Sequence, residues 1–293
     1  MEFALITNQL LSGLTTGAAY FMLGVGLSLV FGVCRVANNA HGSFYIIGLY
    51  LSYTFFQLSE NTNVGFLLSI TLGPILVAIV AGLIEIIAIR RIYFREPLMQ
   101  FILTFAFLYI FADVVRLIWG SLPLGVTVPK ALGGMLSVYG IIWPHYSIFF
   151  LILAVVVGVG LWLLLNRTKF GWYVNAAASD AEMTAAIGIN VSLVLTVVFM
   201  IGGFLGGLAG AAYAPLSGAM LGQDLHMTIL AFIVVVCAGI GSIGGTAVLG
   251  LIMGLTNAIG LLILPQYALV FIYALMLIIM LFRPNGLFAR IIL

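Results

Sequence analysis

Charge is what this sequence has least of. It holds 10 Lys and Arg and 8 Asp and Glu in 293 residues, or 6%, where a soluble domain averages about 25%. Too few charges are present to cover a water-facing surface, which excludes the soluble globular class. The net charge of +2 comes without a basic tail or patch, so nothing points to nucleic acid. Cysteine is as scarce. Cys34 and Cys237 sit in apolar runs, form no disulfide framework, and read as buried thiols. Of the two lysines, Lys130 and Lys169, neither stands in G-x-x-x-x-G-K-[ST], so no phosphate-binding loop exists. His41, His145 and His226 are far apart and lack metal-ligand spacing. H-E-x-x-H and G-x-S-x-G are missing, as is any nucleophile–base pair that an intramembrane protease or acyltransferase needs. No cofactor and no enzymatic activity are expected of this chain.

What is present is oil. The chain is 64% hydrophobic with a mean hydropathy of +1.31. Phe3–Cys34, Val36–Ser59, Asn61–Ile84, Ala131–Asn166, Met183–Gln223 and Leu225–Phe282 carry no ionisable carboxylate, lysine or arginine. A helical span needs roughly 20 apolar residues, and lipid admits only helices or closed barrels. The alternating ten-residue strands of a barrel are absent. The expected fold is therefore all-α: a polytopic transmembrane bundle with eight to ten crossings, broken or re-entrant segments among them. Spans are expected near 9–33, 43–59, 64–88, 98–118, 142–165 and 191–214, followed by three between about 226 and 282. Gly239, Gly241, Gly244 and Gly245 break that last stretch. The Met1-Glu2 opening has no basic n-region or clear cleavage site, so the first span is expected to act as its own insertion signal.

Seven of the ten cations fall in three clusters: Arg90, Arg91 and Arg95; Arg167 and Lys169; Arg283 and Arg290. Cytoplasmic loops collect such residues, which places all three inside, the C-terminus inside and the N-terminus outside. Trp119, Tyr139, Trp143 and Tyr146 are expected at the outer interface, and Trp172 and Tyr173 at the inner one. Few charges remain within the membrane. Glu85 lies near Arg90, and Asp113 and Arg116 have the i, i+3 spacing of a pair on one helix face. An interior so free of charge argues against an ion-driven motor. Gly202, Gly203, Gly206, Gly207 and Gly210 recur every three or four residues, as tight helix packing or a path-lining face requires.

Two polar segments interrupt the oil. In Arg35–Tyr50, the groups Asn38, Asn39 and His41 either cap helix ends or face a translocation path. The other, Asn166–Asn190, is NRTKFGWYVNAAASDAEMTAAIGIN. Ser179 and Glu182 fit a capping box. A short helix is expected from about Asp180 to Ile187, stopped by Gly188, with Asn190 capping the next span. Met183, Ala186 and Ile187 share one face of it. The segment reads as a folded element at the inner surface: a helix lying on lipid, or a docking surface.

Several strings, in this order, resemble the permease subunits of branched-chain (hydrophobic) amino-acid ABC importers: GLSLVFGVCRVANNAHGSFYIIGLY, RTKFGWYVNAAASDAEMTAAIGIN, GGFLGGLAGAAYAP, GIGSIGGTAVLGLIMG and LFRPNGLF. The resemblance covers essentially all of 1–293, read as one transmembrane permease domain. It implies a prokaryotic plasma-membrane machine. Two cytoplasmic ATPases drive it, a second permease subunit of related, non-identical sequence pairs with this one, and a periplasmic or surface binding protein delivers the solute. Residues 166–190 would be the cytoplasmic coupling loop, with Thr168, Gly171, Ala178, Asp180, Glu182, Ala185 and Gly188 as its ATPase-coupling positions. The pattern departs from the family at Trp172, Asn39 and Ser43, which bears on the substrate. A stand-alone secondary transporter or channel for a small polar solute, such as urea or an amide, is the competing expectation.

Overall fold

The computed structural model describes residues 2–60, 62–93 and 95–288. Arg290, the last cation of the third cluster, lies outside the described residues. Eleven α-helices follow in chain order among them: α1 Glu2–Cys34, α2 His41–Leu58, α3 Asn63–Ile87, α4 Pro97–Trp119, α5 His145–Arg167, α6 Lys169–Ser179, α7 Ala181–Ala186, α8 Val191–Ser217, α9 Gln223–Ala238, α10 Ile243–Ile263 and α11 Ala268–Phe282. Seven segments, corresponding to α1, α3, α4, α5, α8, α10 and α11, are long and apolar enough to cross a membrane. The helices expected from the apolar runs are present at nearly the expected bounds. The outer connection between α4 and α5 adds a two-stranded antiparallel hairpin, β1 Met135–Val138 and β2 Ile141–Pro144.

Glycine decides which helices lie at the centre. A Cβ at Gly210 of α8 would overlap the Tyr45 carbonyl of α2, and one at Gly207 would lie 2.8 Å from Cβ of Val77 on α3. One at Gly17 of α1 would stand 2.8 Å from the Gly250 carbonyl of α10. These backbones meet because no side chain intervenes. The glycine stripe of α8 therefore serves close packing, with α1, α2 and α3 gathered round it.

Chain direction follows from these contacts. Gly13 meets Gly254 and Gly24 meets Thr246, so α1 and α10 run antiparallel. Gly82 meets Met200 and Gly207 meets Val77, so α3 and α8 do too. Gly32, at the end of α1, lies 2.8 Å from the Cα of Gly241 when given a Cβ, which puts the α9–α10 turn on the same side. The first two cation clusters and Arg283 share that side, the cytoplasmic one by the positive-inside rule. Seven helices among the described residues are long and apolar enough to cross, and α2 and the shorter apolar helix α9 pack among them.

Tyr146, the second residue of α5, packs inward at the outer end of the bundle, and its hydroxyl donates to the Ala212 carbonyl at 2.7 Å. Asp113 and Arg116 are both exposed and do not pair; the ion pair among the described residues joins Arg90 to Glu85 at 2.9 Å.

Candidate functional site: a mid-membrane junction and an inner-surface helix pair

The junction is built by a chain that doubles back. After Cys34, Arg35 takes a left-handed φ of 54°, uncommon for a non-glycine residue. Residues 36–40 then run back along α1 without helix. His41 opens α2 with its Nε2 at 3.1 Å from the carbonyl of Leu23, about three turns inside the end of α1. A carbonyl only accepts, so Nε2 carries the proton and Nδ1 is left as a buried acceptor without a partner. α2 thus starts at mid-depth. α9 starts beside it: a Cβ on Gly42 would overlap Thr228 Oγ1 and the Asp224 carbonyl, so only glycine lets the two helix starts touch.

The polar groups of this junction are inside the chain. Asn38 is 1% exposed, Asn39 8% and His41 0%. None of them caps α2 with its side chain. Asn38 Oδ1 accepts from the Ala40 amide at 3.1 Å, and Asn39 Nδ2 donates to Thr104 Oγ1 of α4 at 3.1 Å. The Asn39 carbonyl accepts from Thr228 of α9 at 3.5 Å. Several buried polar atoms here have no partner: Asn38 Nδ2, Ser43 Oγ and Asp224 Oδ2. Two short helices that begin inside the membrane, with spare donors and acceptors at their starts, are how transporters commonly frame a solute path. Asp224 and Thr228 escape a reading of the sequence because nothing in their spacing ties them to a loop 189 residues away.

At the inner surface, 168–190 folds as two helices where one short helix was expected. Thr168 caps α6, its Oγ1 accepting from the Gly171 amide at 3.3 Å. Gly171 is required there, since a Cβ would overlap the Leu165 carbonyl. The box cap expected at Ser179 is displaced by one residue. Ser179 bonds back to the Asn175 carbonyl within α6, and Asp180 caps α7 by accepting from the Met183 amide at 2.9 Å. The backbone is extended at Asp180, the geometry an N-cap needs. Gly188 ends the segment with φ +89°, and Asn190 accepts from the Leu193 amide at 3.1 Å to start α8.

This helix pair shows an apolar face. Trp172, Met183 and Ile187 are 64%, 63% and 69% exposed, and Ala185 and Glu182 are exposed beside them. Thr184 turns inward, and Ala178 is half-buried. The carbonyl of Ala178 accepts from Arg35 Nη2 at 3.1 Å. That contact joins the inner-surface pair to the first residue of the doubling-back segment. Arg35 was not singled out by the sequence, where it reads as one more cation at a loop. Of the expected residues, Thr168, Gly171, Ala178, Asp180, Glu182, Ala185 and Gly188 lie together on α6–α7, and Asn38, Asn39 and His41 lie together at the junction; Arg35 bridges the two groups.

Residues 9–280 match the family described as branched-chain amino acid transport system, permease component. The chain belongs to that permease family. The Pseudomonas aeruginosa high-affinity branched-chain amino acid transport system permease protein BraD is 29% identical over 295 residues, covering 97% of this chain and 95% of its own. The Escherichia coli K12 permease protein LivH is 26% identical, with 99% and 97% covered. The Haemophilus influenzae ribose import permease protein RbsC is 32% identical over 132 residues, 42% of this chain and 41% of its own. The permease assignment agrees with the chain's polytopic helical fold. It gives no support to a stand-alone channel or secondary transporter.

Proposed function

We propose that this chain is the membrane-spanning subunit of an ATP-driven importer for branched-chain or other hydrophobic amino acids. The observation that carries the reading is the exposed apolar face of α6–α7 on the cation-rich side. A folded surface of this kind, in a chain without a phosphate-binding loop, suits an energy-supplying ATPase partner. Met183, Ala186 and Ile187, which share one face of α7, enter a groove on that partner, Ala185 lies at its rim, and Asp180 and Glu182 sit beside basic groups there. The working complex holds two ATPases, this chain, a second permease chain and a binding protein that delivers the solute. Asn38, Asn39 and His41 meet the solute when α2 and α9 part at their starts. The partial match to a ribose permease supports a common architecture that passes chemically different solutes, with selection made largely by the delivery protein.

An Ala185→Arg variant tests the docking face. It is expected to lose ATPase co-purification by at least about tenfold, as burying an unpaired charge at a contact does, with the fold intact. Wild-type ATPase recovery and wild-type uptake would remove the docking claim. Arg35→Ala tests the link to the junction. ATPases are expected to stay bound and hydrolyse ATP while uptake per ATP falls several-fold, since one exposed charge-assisted hydrogen bond is at stake. Uptake and hydrolysis assayed together in proteoliposomes read this directly; an unchanged ratio would show that force reaches the junction by another route.

A further inference from the structure

Three helices leave most of their surface uncovered. In each of α4, α5 and α11, only 17% of the spanning window is buried. Uncovered apolar surface is what lipid requires, and α5 from 145 to 166 and α11 from 268 to 282 carry no charge. α4 differs. Ile102, Ala106, Tyr109, Asp113 and Arg116 recur three and four residues apart, so they share one face, and all five are exposed. Asp113 and Arg116 form no hydrogen bond or ion pair with the described residues of the chain. Asp113 lies about 7.5 Å along the axis from the middle of α4, while the hydrocarbon half-thickness is about 15 Å. Arg116 is close enough to the helix end for its long side chain to reach the surface. The short Asp113 carboxylate is not, and lipid gives it no partner.

We propose that this face of α4 is the seam with a second permease chain, a placement that rests on the importer reading above. The partner is a transmembrane helix offering a cation one turn from the depth of Asp113 and a carboxylate one turn from the depth of Arg116, close enough for the long arginine side chains to bridge the offset. A chain of the same kind, related by a two-fold axis along the membrane normal, supplies both. Its own Arg116 equivalent stands one turn above Asp113, within reach of a long side chain. Ala106, two turns below Asp113, lets the two backbones approach. The charges that would be costly against lipid thus become the groups that set register between chains.

The test uses the full chain, tagged, in membranes that carry its native partners. Ala106 is replaced by photoreactive benzoylphenylalanine and the membranes are irradiated. An adduct with the mass of two permease chains is expected. Asp113→Lys should lower its yield at least about tenfold, while the ATPases still co-purify through α6–α7. Adducts with lipid alone, or a yield unmoved by Asp113→Lys, overturn the seam and leave the importer reading standing. A wild-type preparation that recovers ATPases and binding protein but no second permease chain overturns both.

Discussion

A Gly42→Val chain should insert, accumulate poorly and transport at least about tenfold less solute than wild type. The size follows from where the new atoms go. The Cβ alone would overlap Thr228 Oγ1 and the carbonyl oxygen of Asp224, and would stand 3.0 Å from the Asp224 carbonyl carbon. A side chain can rotate away; a backbone carbonyl in the first turn of α9 cannot move without taking the helix along. Overpacking a dense core typically costs 1–3 kcal/mol, and contact with backbone puts this case at about 3 kcal/mol. Two measurements separate the causes: unfolding of the purified variant in detergent, and uptake by vesicles at matched protein levels. Gly160→Val on α5 is the control, because nothing lies within 4 Å of a Cβ there. If Gly42→Val unfolds and transports like Gly160→Val, then α2 and α9 do not meet as described.

The second large effect is expected from Arg90→Met. Glu85 is fully buried on α3 and is held by Arg90 Nε and Nη2 at 3.2 and 2.9 Å, by the Tyr93 hydroxyl at 3.0 Å and by the Thr196 hydroxyl at 2.7 Å. Removing the cation leaves a buried carboxylate with two neutral donors. Breaking a fully buried pair costs 3–5 kcal/mol. The Arg90 side chain is 37% exposed, so the expected loss is smaller, about 2 kcal/mol. It should appear as a lower unfolding midpoint at neutral pH. Glu85→Gln together with Arg90→Met should recover much of it, since the orphaned charge is then gone. A double variant as unstable as Arg90→Met alone would mean that the stability comes from packing of the arginine stem.

The fold was legible because lipid leaves so few options. Charge-free runs of the required length, with two cation clusters and Arg283 on one side, dictate spans and direction almost without regard to side-chain detail. The inner-surface segment was half legible. Gly188 and Asn190 announce themselves by residue type, but Ser179 and Asp180 are both good caps one residue apart. The choice was made by α6, which runs on from Lys169 to Ser179, buries Gly171, Val174 and Ala177 along one side and holds Ser179 in its last turn. The junction was the least legible part. Asn38, Asn39 and His41 stood out as polar groups between apolar runs. That the chain turns back at Arg35 and starts α2 at mid-depth depends on partners in α1, α4 and α9, and no local pattern encodes them. Asp113 and Arg116 show the opposite failure: their spacing is right for a pair, yet their side chains stay apart.

The doubled-back segment also constrains how the protein is made. Asn39 rests against Thr228, 189 residues later in the chain. At 5–20 residues per second, the ribosome needs about 10–40 s to deliver that neighbour. Throughout that wait the start of α2 has no α9 to lean on, and its spare amides and carbonyls face lipid, water or an insertion factor. The start of α2 is therefore left unfinished until α9 has been made.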